Sequence, residues 1–195
     1  MLGGPSGVGK SSILKMVYGN YGVDSGSILL DHHGVMTDLA KADPRTVLSL
    51  RRDSVGYVSQ FLRTVPRVSA LDVVAEPLVN RGISRDNARG RAQSLLARLN
   101  LPERLWALPP ATFSGGEQQR VNVARGFITA HPVLLLDEPT ASLDATNRAV
   151  VVAMIAEKKA AGTALLGIFH DDDVRAQVAD RTIDVGAFAA REEAA

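Results

Sequence analysis

Residues 4–11 read Gly-Pro-Ser-Gly-Val-Gly-Lys-Ser, the pattern G-x-x-x-x-G-K-[ST] of loops that wrap phosphate groups. Glycines at Gly4, Gly7 and Gly9 free the backbone to turn its N–H groups inward as an anion-binding nest. Pro5, Ser6 and Val8 fill the loop between them. The helix that follows adds the positive end of its dipole. Lys10 is placed to reach the outer phosphates and the Ser11 hydroxyl to ligate Mg²⁺, with Ser12 completing the candidate binding segment. Such a loop hangs from a buried β-strand and runs into a helix, yet only Met1, Leu2 and Gly3 precede it here. The chain is thereby committed to an α/β core, and the first question is where the strand lies.

The second half of the chemistry sits at "PVLLLDE", residues 132–138. An unbroken apolar run suits a parallel strand buried on both faces. It delivers Asp137 toward the Mg²⁺ shell, and Glu138 beside it is placed to polarise an attacking water as a general base. Alone, such a run is an ordinary strand meeting a loop; paired with the phosphate loop it carries chemistry. Ser114-Gly115-Gly116-Glu117 is a capping box, Ser at the N-cap and Glu three residues on. Each glycine in that first turn costs about 1 kcal/mol relative to Ala. The cost makes sense where an anion approaches the backbone and the helix end closely, so the segment reads as a second phosphate-binding surface. Gln60 ends "GYVSQ" and His170 ends "LLGIFH", positions from which a polar side chain reaches Mg²⁺ or the attacking water, and which plain strand-to-loop residues also fill. His32 and His33 lie in a turn region without a partner at ligand spacing and read as exposed. Asp171, Asp172 and Asp173 read as the cap of the next helix.

A chain of 195 residues has room for one good-sized domain, or for a core with an inserted subdomain. A formal net charge of +1 supplies no basic field for nucleic acid. The absence of Cys excludes disulfides and thiolate metal sites. The apolar runs fall far short of the roughly 18 residues a spanning helix needs, and no leader pattern opens the chain. The expectation is a cytoplasmic protein without direct membrane insertion. Strand signals at "GSILLD", "SVGYVSQ", "PVLLLDE", "TALLGIFH" and "RTIDVG" alternate with helical stretches, which argues for a parallel sheet. From Ser69 to Leu108 only helical spacing is present. The organisation expected is a single nucleotide-binding domain over 1–195: residues 1–60 the first part of the core, 61–126 a helical subdomain, 127–195 the second part of the core. The tail "AFAAREEAA" reads as frayed.

Together these residues resemble the ATP-binding-cassette (ABC) family of ATPases. "GPSGVGKSS" is similar to its Walker A loop, "GYVSQ" to its Q-loop, "FSGGEQQR" to its signature, "LLLDEP" to its Walker B, "ASLD" to its D-loop and "FHD" to its H-loop. The resemblance implies a P-loop NTPase (RecA-like) parallel sheet flanked by helices, with an inserted all-helical signature subdomain, and ATP and Mg²⁺ as cofactors. It implies a head-to-tail dimer with itself or a sibling ABC ATPase, ATP lying between Lys10 of one chain and Ser114 of the other. It further implies Glu138 as catalytic base, with His170 and Gln60 on the γ-phosphate and metal. The segments "YVSQFLRTVPRV", "LNLPERLWALPPATFSGGEQQRVNVARGF" and "GIFHDDDVR" are similar to ATPases of the bacterial carbon–phosphorus lyase pathway. That likeness implies the carbon–phosphorus lyase core complex as partner, and a part in forming an alkylphosphonate ribose triphosphate from a phosphonate and ATP. ATP use rests on residues; the phosphonate role rests on resemblance alone. The alternative is the ATPase subunit of a membrane transporter, such as a lipoprotein or macrolide exporter. A non-catalytic interaction module is a third reading, opposed by the presence of every polar group the chemistry requires.

The resemblance also implies residues ahead of Met1: an antiparallel β-layer with an aromatic residue that stacks on adenine, then the strand feeding the loop. The expectation is that this layer and first core strand are missing, which bares strand edges and leaves Gly4–Ser11 without a rigid base.

Overall fold

The structure, a computed structural model, describes residues 1–63 and 66–188. From the N-terminus it runs through strand β1 (Leu2–Gly3), helix α1 (Lys10–Val17), strands β2 (Leu29–His32) and β3 (Val35–Asp38), helix α2 (Pro44–Asp53) and strand β4 (Val55–Val58). Helices α3 (Ala70–Val79), α4 (Arg85–Arg98), α5 (Glu103–Trp106) and α6 (Gly115–Phe127) follow. The chain then passes through β5 (Val133–Asp137), α7 (Ala145–Ala160), β6 (Ala164–Ile168), α8 (Asp172–Val178) and β7 (Ile183–Asp184). Of the tail read as frayed, Ala187 and Phe188 belong to a 3₁₀ turn and the rest lies outside the described residues. So do Thr64 and Val65 of the stretch after Gln60.

The apolar strand β5 is central, and buries apolar side chains on both faces. It pairs in parallel with β4, Val58 opposite Leu136, and with β6, Asp137 opposite Ile168. Successive residues point to opposite faces. Val55, Leu135 and Ile168 therefore join Leu2, Leu14 and Val185 in an apolar layer beneath α1. Val58, Leu134 and Leu136 turn the other way, into the larger core shared with α3, α4, α6 and α7. Helix α6 lies hard against β4 at Gly126, where an added Cβ would sit 2.3 Å from the Val58 side chain.

The strand ahead of the loop is present in short form. Leu2 and Gly3 pair in parallel with Ile183 and Asp184, and β1 lies beside β6 without forming one continuous hydrogen-bonded sheet with it. A cavity of about 360 Å³ opens next to β6, with Met1, Leu165, Gly167 and Phe169 among its walls. An antiparallel layer is also present, the hairpin β2–β3. Its two-residue turn, His33–Gly34, has φ of 55° and 82°, the left-handed pair that a type I′ hairpin requires. This corrects the reading of His32 as an exposed turn residue. His32 ends β2 half-buried, and its ring nitrogens meet Ser54 Oγ at 2.8 Å and Ser49 Oγ at 3.0 Å. His33 is exposed and lies 3.4 Å from an Asp53 carboxylate oxygen.

Asp72 ties α3 to α4 by charge. Ser69 caps α3, its Oγ accepting from Asp72 N at 3.1 Å, and Asp72 accepts from Arg89 Nε and Nη2, each at 2.9 Å, and from Arg85 at 3.2 Å. These bonds, Arg89's foremost, hold the Asp72 carboxyl down to about 2 from 3.8. A carboxyl lowered on folding stabilises the fold above its free value, and that contribution is lost as pH falls through the folded value. Asp72→Asn is expected to cost about 1–2 kcal/mol near neutral pH, and to flatten the loss of stability between the two values. Urea unfolding of both chains across that range measures it; parallel curves would remove the network from the account.

Candidate functional site

The loop after β1 takes its shape from three left-handed glycines, Gly4, Gly7 and Gly9, at φ of 115°, 81° and 97°. Gly4 is doubly constrained, since a Cβ there would stand 3.0 Å from Asp184 Oδ1. Lys10, only 9% exposed, opens α1 and turns back across the loop, donating to Gly4 O at 2.9 Å and Pro5 O at 2.6 Å. Its partners are neutral carbonyls. A buried ammonium without an anion is costly, and a phosphate in the loop supplies the missing charge. No side chain caps α1 at Gly9, so its first N–H groups also face the loop. Pro5 and Ser6 are exposed, while Val8 and Ser12 are half-buried.

Ser11 and Asp137, the two residues expected at a cation, meet directly. Ser11 Oγ donates to Asp137 Oδ1 at 3.0 Å, and the Tyr57 hydroxyl donates to Asp137 Oδ2, also at 3.0 Å. Tyr57, on β4, was not legible as a site residue; alternation with Val55 places it on the α1 face, where Asp137 also points. Burial, then the Asp137 charge, pushes the Tyr57 phenol up, so it stays a donor at neutral pH. Among the described residues no group of three or more carboxylate or imidazole side chains could hold a metal. One hydroxyl and one carboxylate still suit Mg²⁺, which keeps several waters and takes the rest of its shell from phosphate.

Glu138 follows in an uncommon conformation, with φ of 53°. Its N–H donates to Ile168 O at 3.1 Å. The left-handed step takes the side chain off the line of β5. Its Oε1 meets His170 Nε2 at 2.7 Å, and Oε2 accepts from Gln60 Nε2 at 3.4 Å. The level register of β4, β5 and β6 brings these three residues together just beyond the ends of those strands. Gln60 and His170 are the residues expected on the metal and γ-phosphate. In this structure both bond Glu138, and Gln60 makes no hydrogen bond to Ser11 or Asp137.

Ser114–Glu117 forms the capping box expected. Ser114 N and Oγ donate to Glu117 Oε2 at 2.8 and 2.7 Å, and Glu117 N donates to Ser114 Oγ at 3.4 Å. The Ser114 hydroxyl, then its backbone N–H, lowers the Glu117 carboxyl. None of these bonds reaches the chain's own phosphate loop. The two glycines differ. Gly115 faces open space, but a Cβ on Gly116 would lie 2.8 Å from Ser142 O. Gly116 is thus demanded by the approach of its own 141–144 turn, a reason apart from anion binding. Further along α6, Gln119 donates to Glu138 O and Pro139 O at 3.3 and 3.1 Å, and Asn122 donates to Ser59 O. Sequence reasoning passed over both; their signal was a carboxamide on the buried stripe of a helix. Asp171 caps α8 as expected, accepting from Asp173 N and Val174 N.

A groove of about 660 Å³ runs from Ser11 and Asp137 past Tyr57 to Arg81 and His131. Burial brings the His131 imidazole down to about 4. Apolar Leu48 and Phe61, 63% and 73% exposed, flank the groove.

The left-handed backbone at Glu138 yields a test independent of activity. A side chain there costs about 1 kcal/mol, so Glu138→Gly is expected to be more stable than Glu138→Ala by roughly that amount. Urea unfolding of the two variants decides it, and the reverse order would contradict the conformation.

Known proteins share this arrangement. The chain is 38% identical over 185 residues to an ABC transporter ATP-binding protein of Mycobacterium tuberculosis, Rv0073, matching 95% of this chain and 54% of that one. It therefore spans about half the length of that relative. It is 40% identical over 181 residues to the lipoprotein-releasing system ATP-binding protein LolD 2 of Caulobacter vibrioides, 92% of this chain and 77% of that one. The fold superposes on the ATP-binding cassette MJ0796, a dimeric post-hydrolysis state bound to ADP and Pi, with a TM-score of 0.84 at 29% identity, covering 94% of this chain and 78% of that one. A profile described as "ABC transporter" matches residues 1–141, a span that takes in the loop, Gln60, α6 and the Asp137–Glu138 pair. The chain belongs to the ABC transporter family.

Proposed function

We propose that this chain binds Mg-ATP with the triphosphate in the Gly4–Ser12 loop and hydrolyses it, as the ATPase subunit of a membrane transport system. The observation that carries hydrolysis is Glu138, a carboxylate turned out of its strand and bonded to His170 and Gln60, next in sequence to the Ser11–Asp137 pair. Lys10 exchanges its two carbonyl partners for β- and γ-phosphate oxygens, and the loop N–H groups take the remaining charge. Ser11 and Asp137 would hold Mg²⁺, which would supply neutralisation of phosphate charge. Glu138 takes the proton of the attacking water. The water oxygen bonds the γ-phosphorus, and ADP leaves with the bridging oxygen. Gln60 and His170 set the carboxylate's orientation.

The Ser114–Glu117 turn has no contact with its own loop to serve. A head-to-tail pair, with a second copy or a sibling ATPase, would place it over the partner's phosphates, and the dimeric state of MJ0796 supports that arrangement. Transport is supported by the relatives' own names, a lipoprotein-releasing system among them, and by a groove flanked by exposed Leu48 and Phe61 on which a membrane partner could seat. Among the described residues no helix is long and apolar enough to cross a membrane, and we place the chain on the cytoplasmic side of such a partner. The carbon–phosphorus lyase role, first suggested by the linking segments, draws no support from the relatives named above and stands behind the transport reading.

Glu138→Gln keeps the shape of the side chain but cannot take a proton. It is expected to lower turnover by about 10²–10⁴-fold while leaving Mg-ATP binding intact, whereas Lys10→Ala weakens binding itself. Near-normal hydrolysis by the Gln variant would remove Glu138 as base. The same Glu138→Gln chain, held with ATP, is expected to co-purify with a permease from detergent-solubilised membranes. Recovery with soluble phosphonate-processing proteins instead would favour the lyase reading.

A further inference from the structure

We infer that Tyr57 is a positioning residue of the metal site: its hydroxyl fixes the orientation of the Asp137 carboxylate. The inference rests on the Mg-nucleotide reading above and gives a role to a residue inside the "GYVSQ" segment that the sequence reading left without one. Asp137 is 2% exposed, and its two oxygens are tied at opposite ends, Oδ1 by Ser11 and Oδ2 by Tyr57, each at 3.0 Å. The last torsion of an aspartate side chain is broad and two-fold. With Ser11 as its sole partner, the carboxylate could turn about that bond. Two donors remove the freedom and leave one face of Oδ1 beside the hydroxyl that would share the cation.

The phenol is itself held. Tyr57 sits opposite Leu135 in the β4–β5 register, two residues short of the level of Asp137. Its ring packs on Tyr18 with centroids 4.9 Å apart and planes tilted by 35°. Tyr18 in turn lies under the Arg51 guanidinium, 4.7 Å from the ring centroid. Arg51 donates to Tyr18 O at 2.9 Å and to Gly19 O at 2.8 Å, so α2 fixes the end of α1, the end of α1 fixes Tyr57, and Tyr57 fixes Asp137. Tyr57 also stands in the wall of the 660 Å³ groove that reaches Asp137, so the hydroxyl occupies the place where groove water would otherwise bond Oδ2. Partners that orient a metal ligand are worth about 10–100-fold in metal affinity.

The test is Tyr57→Phe in the full chain, which keeps the ring and its packing on Tyr18 and deletes only the hydroxyl. ATP affinity is titrated for wild type and variant in EDTA and at graded Mg²⁺, and the bound cation is read separately from the Mn²⁺ EPR line shape of the ATP complex. The expected result is unchanged affinity in EDTA, about tenfold or more Mg²⁺ needed for the same gain in ATP affinity, and an altered Mn²⁺ spectrum. If wild type shows a Mg²⁺-dependent gain and the variant matches it, the inference is overturned while the nucleotide reading stands. An equal loss in EDTA and in Mg²⁺ also overturns it, since the hydroxyl would then act on the loop. A wild type indifferent to Mg²⁺ overturns the reading beneath it as well.

Discussion

One hydrogen bond, Ser11 Oγ to Asp137 Oδ1 at 3.0 Å across 126 positions of sequence, sets the geometry on which the rest of the site depends. It requires the first turn of α1 to stand over the end of β5. That placement requires the loop between β1 and α1 to reverse sharply, which the left-handed glycines allow. It also requires Leu14 of α1 to bury against Leu135 and Ile168 beneath it. The apolar layer under α1 and the polar pair at its tip are thus two ends of one packing decision. A hydroxyl and a carboxylate brought this close, beside a buried ammonium with only carbonyl partners, are what the proposed binding of a cation and a polyphosphate together requires.

Glu138, the proposed base, is positioned from the opposite side of the sheet. Glu138 leaves β5 through a left-handed step, and α6 braces it there, Gln119 holding the carbonyls of Glu138 and Pro139. Three residues on, Asn122 of the same helix holds Ser59 O, immediately before Gln60. The helix that begins at Ser114 therefore grips the backbone at both partners of the Gln60–Glu138 hydrogen bond, and Gly126 lets it lie close enough on β4 to do so. A displacement of α6 cannot leave either residue where it was. That shared bracing links the exposed Ser114 turn to Glu138 by a continuous set of contacts.

Much of this was legible in the residues. The apolar run at Val133–Leu136, the loop glycines and the polar residues at the strand ends identified the core strands and the residues gathered beyond them. Other parts were hidden for physical reasons. The β2–β3 hairpin turns on His33–Gly34, and a histidine in the left-handed region is a weaker signal than the Asn-Gly or Asp-Gly of most such turns. His32 looked partnerless because its partners are serine hydroxyls from α2 and the residue after it, which no ligand spacing announces. Gly116 read as an opening for an anion, and nothing in the sequence signalled that its missing Cβ also makes room for Ser142 O. Tyr57, Gln119 and Asn122 act through contacts between distant segments, and local pattern carries no trace of such pairing.

The claim that the loop and the end of β5 form one metal–phosphate site is tested most directly by a double-mutant cycle. Ser11→Ala, Asp137→Asn and the double variant are compared for the gain in ATP affinity that Mg²⁺ provides over EDTA. Residues sharing one cation are strongly non-additive. The account predicts that either single change removes most of the gain and that the double variant is little worse than Asp137→Asn. Strictly additive losses, or a full Mg²⁺-dependent gain in the double variant, would contradict it.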